Sequence, residues 1–160
     1  MPPSQPIRVR RASPADLDCI VEFNAAMAVE TEGKSLDRDL LRQGVDRALI
    51  DPARCTYFVA ESAGRVVGQT MFTLEWSDWR NAWFWWIQSV YVLPEFRGRG
   101  VFQALYEHIR HEARRRDVCG IRLYVHDTNH RAMQVYENVG MTLSPYRVYE
   151  EAWSTGKEVD

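Results

Sequence analysis

Val92-Leu93-Pro94-Glu95-Phe96-Arg97-Gly98-Arg99-Gly100-Val101-Phe102 is the stretch whose reading decides the fold. A β-rich run, Trp85 to Val92, feeds a short loop with two arginines and two glycines, and an amphipathic helical pattern begins at once. That layout aims main-chain N–H groups and the positive end of a helix dipole at one small volume. Glycine lets the backbone approach a ligand with no Cβ in the way. The product is an anion site suited to a phosphate or pyrophosphate. It is not a P-loop, because no Gly-Lys-Ser/Thr closes it. It is a poor dinucleotide fingerprint, because the third glycine is missing and a β-hairpin, not βαβ, lies upstream. Taken alone, the segment also reads as a helix start with two solubilising arginines.

The bulk properties bound the rest. A chain of 160 residues makes one domain with a core that needs no disulfides. Net charge is −2 with 26% charged residues, so no global basic field points to nucleic acid or to an anionic membrane. Arg114-Arg115-Arg116 reads as a helix end, where cations complement the dipole. No apolar run approaches the ~20 residues that span a bilayer. Residues 1–6 are expected to be a disordered lead-in and residues 7–160 a single domain. Cys19, Cys55 and Cys119 are odd in number and widely spaced, which fits a reducing cytoplasm and core-filling thiols. His108 with His111, and His126 with His130, lack cysteine or carboxylate company, so no metal site is expected.

Periodicity gives the elements. Ile7 to Arg11 alternates as a half-exposed strand does. Ser13-Pro14-Ala15-Asp16 starts a helix carrying Leu17, Ile20, Val21, Asn24, Ala25 and Ala28 at helical spacing. A second helix stripe runs from Leu36 to Leu49 and ends at Asp51-Pro52. Cys55–Glu61 and Arg65–Trp76 flank an Ala63-Gly64 turn as a hairpin. Trp83–Val92 is apolar on both faces and is expected to be central. A helix from Arg99 to about Asp117, a strand Ile121–Val125 and a helix Asn129–Val139 follow. A strand near Met141–Leu143 and a final strand Arg147–Trp153 complete the expectation.

Farther along stands Asn129-His130-Arg131-Ala132-Met133-Gln134-Val135-Tyr136-Glu137-Asn138-Val139-Gly140-Met141. Val-x-Pro, then Arg-Gly-x-Gly, then Asn-x-x-Ala-x-x-x-Tyr-Glu-x-x-Gly-Met together resemble the Gcn5-related (GNAT) N-acetyltransferases, from about Ile7 to Trp153. The resemblance implies an α/β (α+β) fold. A central mixed, mostly antiparallel sheet of about seven strands would splay between strands 4 and 5, with about four helices around it. It implies acetyl-CoA as co-substrate, with Gly98, Arg99, Gly100, Val101, Phe102 and Gln103 receiving the pyrophosphate and Arg97 adding charge. Val90, Tyr91 and Val92 would offer main-chain groups to the pantetheine arm, with Asn129 and Ala132 completing the cofactor set. Tyr136 would donate a proton to the leaving sulfur. On residue spacing alone, Tyr136 also reads as packing and Asn129 as a plain helix N-cap.

Phe102 stands where the family usually has Gly or Ala, and its ring is expected to turn into the core. The branch most resembled acetylates diamines and amino acids. Gln88 occupies a position where the diamine-acetylating branch holds Glu, and an amide cannot take a proton at neutral pH. Glu30, Glu32, Glu75 and Asp78 remain candidate bases, each also readable as a solvated surface acid. Gln88, Glu32 and Trp85 are the candidate acceptor contacts. The implied activity is acetyl transfer to the primary amine of a small molecule by direct attack in a ternary complex. The implied setting is a cytoplasmic homodimer. Acetylation of a protein or peptide, or a non-catalytic acyl-CoA-binding module, are the alternatives.

Overall fold

Five strands form one sheet in chain order: β1 (Arg8–Arg11), β2 (Thr56–Ser62), β3 (Arg65–Ser77), β4 (Ala82–Val92) and β5 (Val118–Arg122). β1 to β4 are antiparallel neighbours, whereas β4 and β5 run parallel. The helices are α1 (Leu17–Glu32), α2 (Arg38–Ile50), α3 (Val101–Arg114) and α4 (His130–Asn138). The computed structural model describes residues 6–153, so all of the expected lead-in except Pro6 lies outside the described residues. Two compact units divide the chain, the first ending at Tyr124 and the second beginning at Val125.

In the first unit each sheet face has its own helices. Ile20, Val21, Val45, Cys55, Tyr57 and Val59 form a buried cluster where α1 and α2 cover one face. On the other face Phe72 stacks on Trp85 at 3.8 Å, and Phe58 meets the edge of His108 of α3 at 4.9 Å between ring centroids. The period-2 alternation of strand side chains produces this division. Ala63 and Gly64, both at positive φ (51° and 75°), form the tight β2–β3 connection. Asp37 caps α2 by accepting from the amides of Asp39 and Leu40, both at 2.9 Å.

The Ser-Pro-Ala-Asp start folds as a 3-10 turn, Pro14–Asp16, leading into α1. Asp16 is buried and accepts from both terminal nitrogens of Arg10, at 2.8 and 2.9 Å, and from the Ser13 amide at 2.7 Å. The Arg10 guanidinium holds the Asp16 carboxyl below the usual carboxylate range. A depressed folded pKa gives stability that is present above the unfolded value, near 3.9, and lost as pH falls through the folded one. Asp16→Asn is expected to cost about 3 kcal/mol at pH 7, because it leaves Arg10 without its bidentate partner. Urea unfolding should show that gap narrowing as the pH drops below about 4.

Three expectations are corrected. β5 lies at Val118–Arg122, not Ile121–Val125. Its position is set by parallel pairing with Trp83–Trp86, and at Gly120 a Cβ would stand 2.6 Å from the Phe84 ring. Among the described residues the sheet has five strands, not about seven. Neither Met141–Leu143 nor Arg147–Trp153 joins a ladder among the described residues, because apolar alternation does not by itself supply a hydrogen-bonding neighbour. Cys119 is exposed, its thiol against the Trp83 carbonyl at 3.3 Å, so it is not a core filler.

Candidate active site

β4 organises the site by leaving its neighbour. Its pairing with β5 runs from Trp83 to Trp86 and stops there, while pairing with β3 continues to Val92. Past Trp86, one edge of β4 is therefore unladdered by β5. The Leu93 amide donates to Val67 of β3 at 2.9 Å. Main-chain groups alternate between the two sides of an antiparallel strand, so those of Tyr91 face β3 and those of Val90 and Val92 face the open edge. Arg97 Nε already holds the Val92 carbonyl at 2.9 Å, and its guanidinium pairs with Glu30 at 2.7 Å. Tyr91 presents a side chain instead: its hydroxyl donates to Glu30 at 3.3 Å, and its ring lies under Arg97. Arg97 thus clamps the end of β4 to α1.

The candidate anion cradle follows directly. Gly98 and Gly100 sit at φ 72° and 79°, where L side chains are strained, and a Cβ at either would meet nothing within 4 Å. Gly100 is the N-cap of α3, and Ala104 is the residue whose amide bonds back to its carbonyl, at 2.9 Å. The first-turn amides of Val101, Phe102 and Gln103 precede that bond and have no acceptor within the helix. Arg99 is exposed, with its guanidinium over the Phe96 ring. Phe102 does not enter the core; its half-buried ring stacks along α3 on Tyr106 at 6.1 Å. Val101 and Leu105 take the buried face instead.

A bulge in β4 marks the approach from the opposite side of the sheet. Met71 pairs with Gln88 and Gln69 with Tyr91, so β4 carries one extra residue there, and Ser89 adopts φ 52°. Gln69, fully buried, donates to the Ser89 carbonyl at 3.2 Å and to Asn24 Oδ1 at 2.8 Å. Asn24 in turn donates to the Tyr57 hydroxyl at 3.1 Å. Asn24, Tyr57 and Ser89 form the polar end of a cleft of about 440 Å³ between α1, α2 and the sheet. Glu32 lines its rim and pairs with Lys34 at 2.9 Å.

Gln88 lies on the same sheet face as Met71 and donates to Thr73 Oγ1 at 2.8 Å. Trp85 does not join them, since strand parity turns it to the α3 face, where it is buried on Phe72. Glu75 accepts from the Trp86 indole at 2.6 Å and from Arg122 at 3.0 Å. Asp78 accepts from the Trp79 amide within its own turn. Asn24, Tyr57 and Gln69 were not singled out as site residues from sequence. The available signals were weak: an amide inside the apolar stripe of α1, and a glutamine inside an apolar strand.

In the second unit, Asn129 is the N-cap of α4, and its Oδ1 accepts from the Ala132 amide at 3.1 Å. Both expected cofactor residues of this helix thus meet in one capping bond. Tyr136 is half-buried, and desolvation pushes its hydroxyl above the ordinary tyrosine value. No group of three or more metal-binding side chains occurs among the described residues, and none of their helices is long and apolar enough to cross a membrane.

The model of the acetyltransferase (GNAT) family matches residues 20–141. The chain belongs to that family. Among solved structures, a protein described as a possible acetyltransferase from Clostridium difficile 630 is 43% identical, with TM-score 0.86 over 92% of this chain and 98% of that one. A Clostridium acetobutylicum protein described as a predicted acetyltransferase, solved with acetyl-CoA, shares the fold at 16% identity, with TM-score 0.75 over 91% and 96%. The thialysine N-epsilon-acetyltransferase of Bos taurus is 31% identical over 75 residues, 47% of this chain and 44% of the relative. The match therefore spans less than half the length of that relative.

This GNAT chain has residues that fit a CoA diphosphate. The test is the cradle itself: orphan amides at the start of α3, open space at Gly98 and Gly100, and an exposed arginine between them.

Proposed function

We propose that the chain transfers an acetyl group from acetyl-CoA to the primary amine of a small molecule, by direct attack in a ternary complex. The observation that carries this reading is the succession of three features along β4 and into the start of α3: the Ser89 bulge, the open edge at Val90 and Val92, and the Gly98–Gln103 cradle. Acetyl-CoA, when bound, supplies the acyl group as a thioester. The amides of Gly98 to Gln103 hold the diphosphate, and Arg99 adds charge beside it. Arg97 acts by positioning, since Val92 and Glu30 engage it. The Val90 and Val92 edge receives the pantetheine arm and aims a main-chain N–H at the thioester carbonyl, the role of an oxyanion-hole donor.

The amine must lose its proton before attack, because ordinary alkylammonium groups titrate near ~10. Asn24, Tyr57 and Ser89 present only neutral polar atoms at the cleft end, and burial pushes the Tyr57 hydroxyl up, so it stays protonated. An uncharged, desolvating end favours the neutral amine. Tyr136, by its match to the family pattern, returns a proton to the departing thiolate. The same pattern assigns Asn129 and Ala132 to the cofactor. The bond formed is N–C(acyl), the bond broken is C(acyl)–S, and the products are the acetamide and free CoA thiol.

Calorimetric titration with CoA, followed by thiol release on an amine panel, tests the reading. Binding without any acetylated amine would leave an acyl-CoA-binding module. Acetylation of peptides but of no small amine would move the chain to the protein-directed alternative. A cytoplasmic homodimer is the proposed setting, and exposed Trp76 and Trp79 at the β3–β4 end support the dimer. Light scattering giving the mass of one 18.7 kDa chain would refute the dimer.

A further inference from the structure

We infer that the cleft beside Ser89 selects an acceptor with one amine on an uncharged, apolar body, and turns away diamines and polyamines. The inference rests on the small-amine reading above and names its substrate class. Met27, Leu36, Leu41, Val45 and Met71 make the cleft walls apolar, and its polar end carries no charge. Its volume of about 440 Å³ falls within the range of small-ligand clefts, about 300–1,000 Å³.

The acids along α1 are each engaged already. Asp18 pairs with Arg42, Glu22 with Arg38 at 2.8 Å, Glu30 with Arg97 at 2.7 Å and Glu32 with Lys34 at 2.9 Å. Glu32 is the acid among the lining residues, and the Lys34 ammonium beside it opposes a second cation. On the sheet side, Gln88 engages Thr73 through its amide and brings no charge. Beyond the cleft, Glu75 is held by Arg122 and the Trp86 indole. A diamine seating one nitrogen at Ser89 would drag its second ammonium along apolar walls toward carboxylates that other cations hold. An ammonium taken from water without a counter-ion is strongly disfavoured, whereas a methyl group in its place gains from the same burial.

Pentylamine and 1,5-diaminopentane test this directly, since they share a carbon chain and differ by one terminal amine. With acetyl-CoA saturating and the pH fixed, kcat/KM from thiol release is expected to favour pentylamine by about 30-fold or more. A diamine as good as the monoamine, or better, would overturn the inference. Leu36→Glu offers a second reading: Leu36 is 39% exposed, so the change spares the core and adds a carboxylate to the rim. It should shift the ratio toward the diamine by at least about threefold, the scale of one partly exposed ion pair. An unmoved ratio would count against the assignment of this cleft. CoA binding with neither amine acetylated would defeat the substrate class alone. Failure to bind CoA would defeat the earlier reading, and this inference with it.

Discussion

Replacing Gly100 with valine is expected to weaken CoA binding about 100-fold while leaving the chain folded. Two costs separate cleanly here. A β-branched residue at φ 79° is strained, by roughly 1–2 kcal/mol for a left-handed non-glycine residue, and that cost falls on stability. The Cβ itself meets no protein atom within 4 Å, so no core neighbour has to move. On the proposed reading, the side chain enters the volume that the diphosphate takes beside the first amides of α3. Hydrogen bonds to a charged group contribute about 1.5–3 kcal/mol each, so losing one or two of them gives the 100-fold figure. Calorimetry with CoA measures the binding, and thermal unfolding separates it from strain. Unaltered affinity in a folded variant would remove the diphosphate from this turn. Arg99→Ala, a surface change, should lower affinity about tenfold and flatten its salt dependence.

Tyr136→Phe is expected to lower kcat by about 100-fold or more, with the KM for acetyl-CoA nearly unchanged, as loss of a general acid does. A tyrosine that only packs would keep its rate as phenylalanine, since the ring is retained. The pH profile adds an independent check. Burial raises the Tyr136 hydroxyl above the ordinary value of 10, so the protonated donor persists throughout the neutral range. The alkaline loss of rate assigned to this group should therefore have its midpoint above pH 10 in the parent and be missing from the variant. Wild-type turnover in Tyr136→Phe would end the acid role.

Much of the first unit was legible because local chemistry dictated it. The Ala63-Gly64 turn and the Gly98–Gly100 start of α3 are each set by neighbouring residues. Strand parity separates Trp83 and Trp85 from Trp86 and Gln88, because side chains alternate until a residue is inserted. Long-range partners were not legible. Nothing in Arg97 itself says that it closes on Val92 and Glu30, 67 positions from the latter. Nor does Gln69 announce that it ties Asn24 to the Ser89 carbonyl. The start of β5 was misjudged because its register is set by Phe84 packing over Gly120, a contact between distant segments. The C-terminal strands failed as expectations for a related reason: alternation describes a surface, and a ladder requires a neighbour.

The extra residue in β4 has a genetic corollary. Upstream of Ser89, odd-numbered side chains such as Trp85 point to α3; downstream, odd-numbered Tyr91 points to α1, against Phe23 at 5.1 Å. A codon lost between Gln88 and Tyr91 would remove the extra residue and restore a regular pleat, leaving Gln88 opposite Met71 and Tyr91 opposite Gln69 on the faces they already hold. A codon lost in a regular stretch of β4 would instead turn every side chain on one flank of the gap to the other face of the sheet. A library of single-codon deletions across β4 should therefore find this short window the step where the fold best absorbs a change of length, though a deletion there removes the backbone turn at Ser89 on which the cleft end is built.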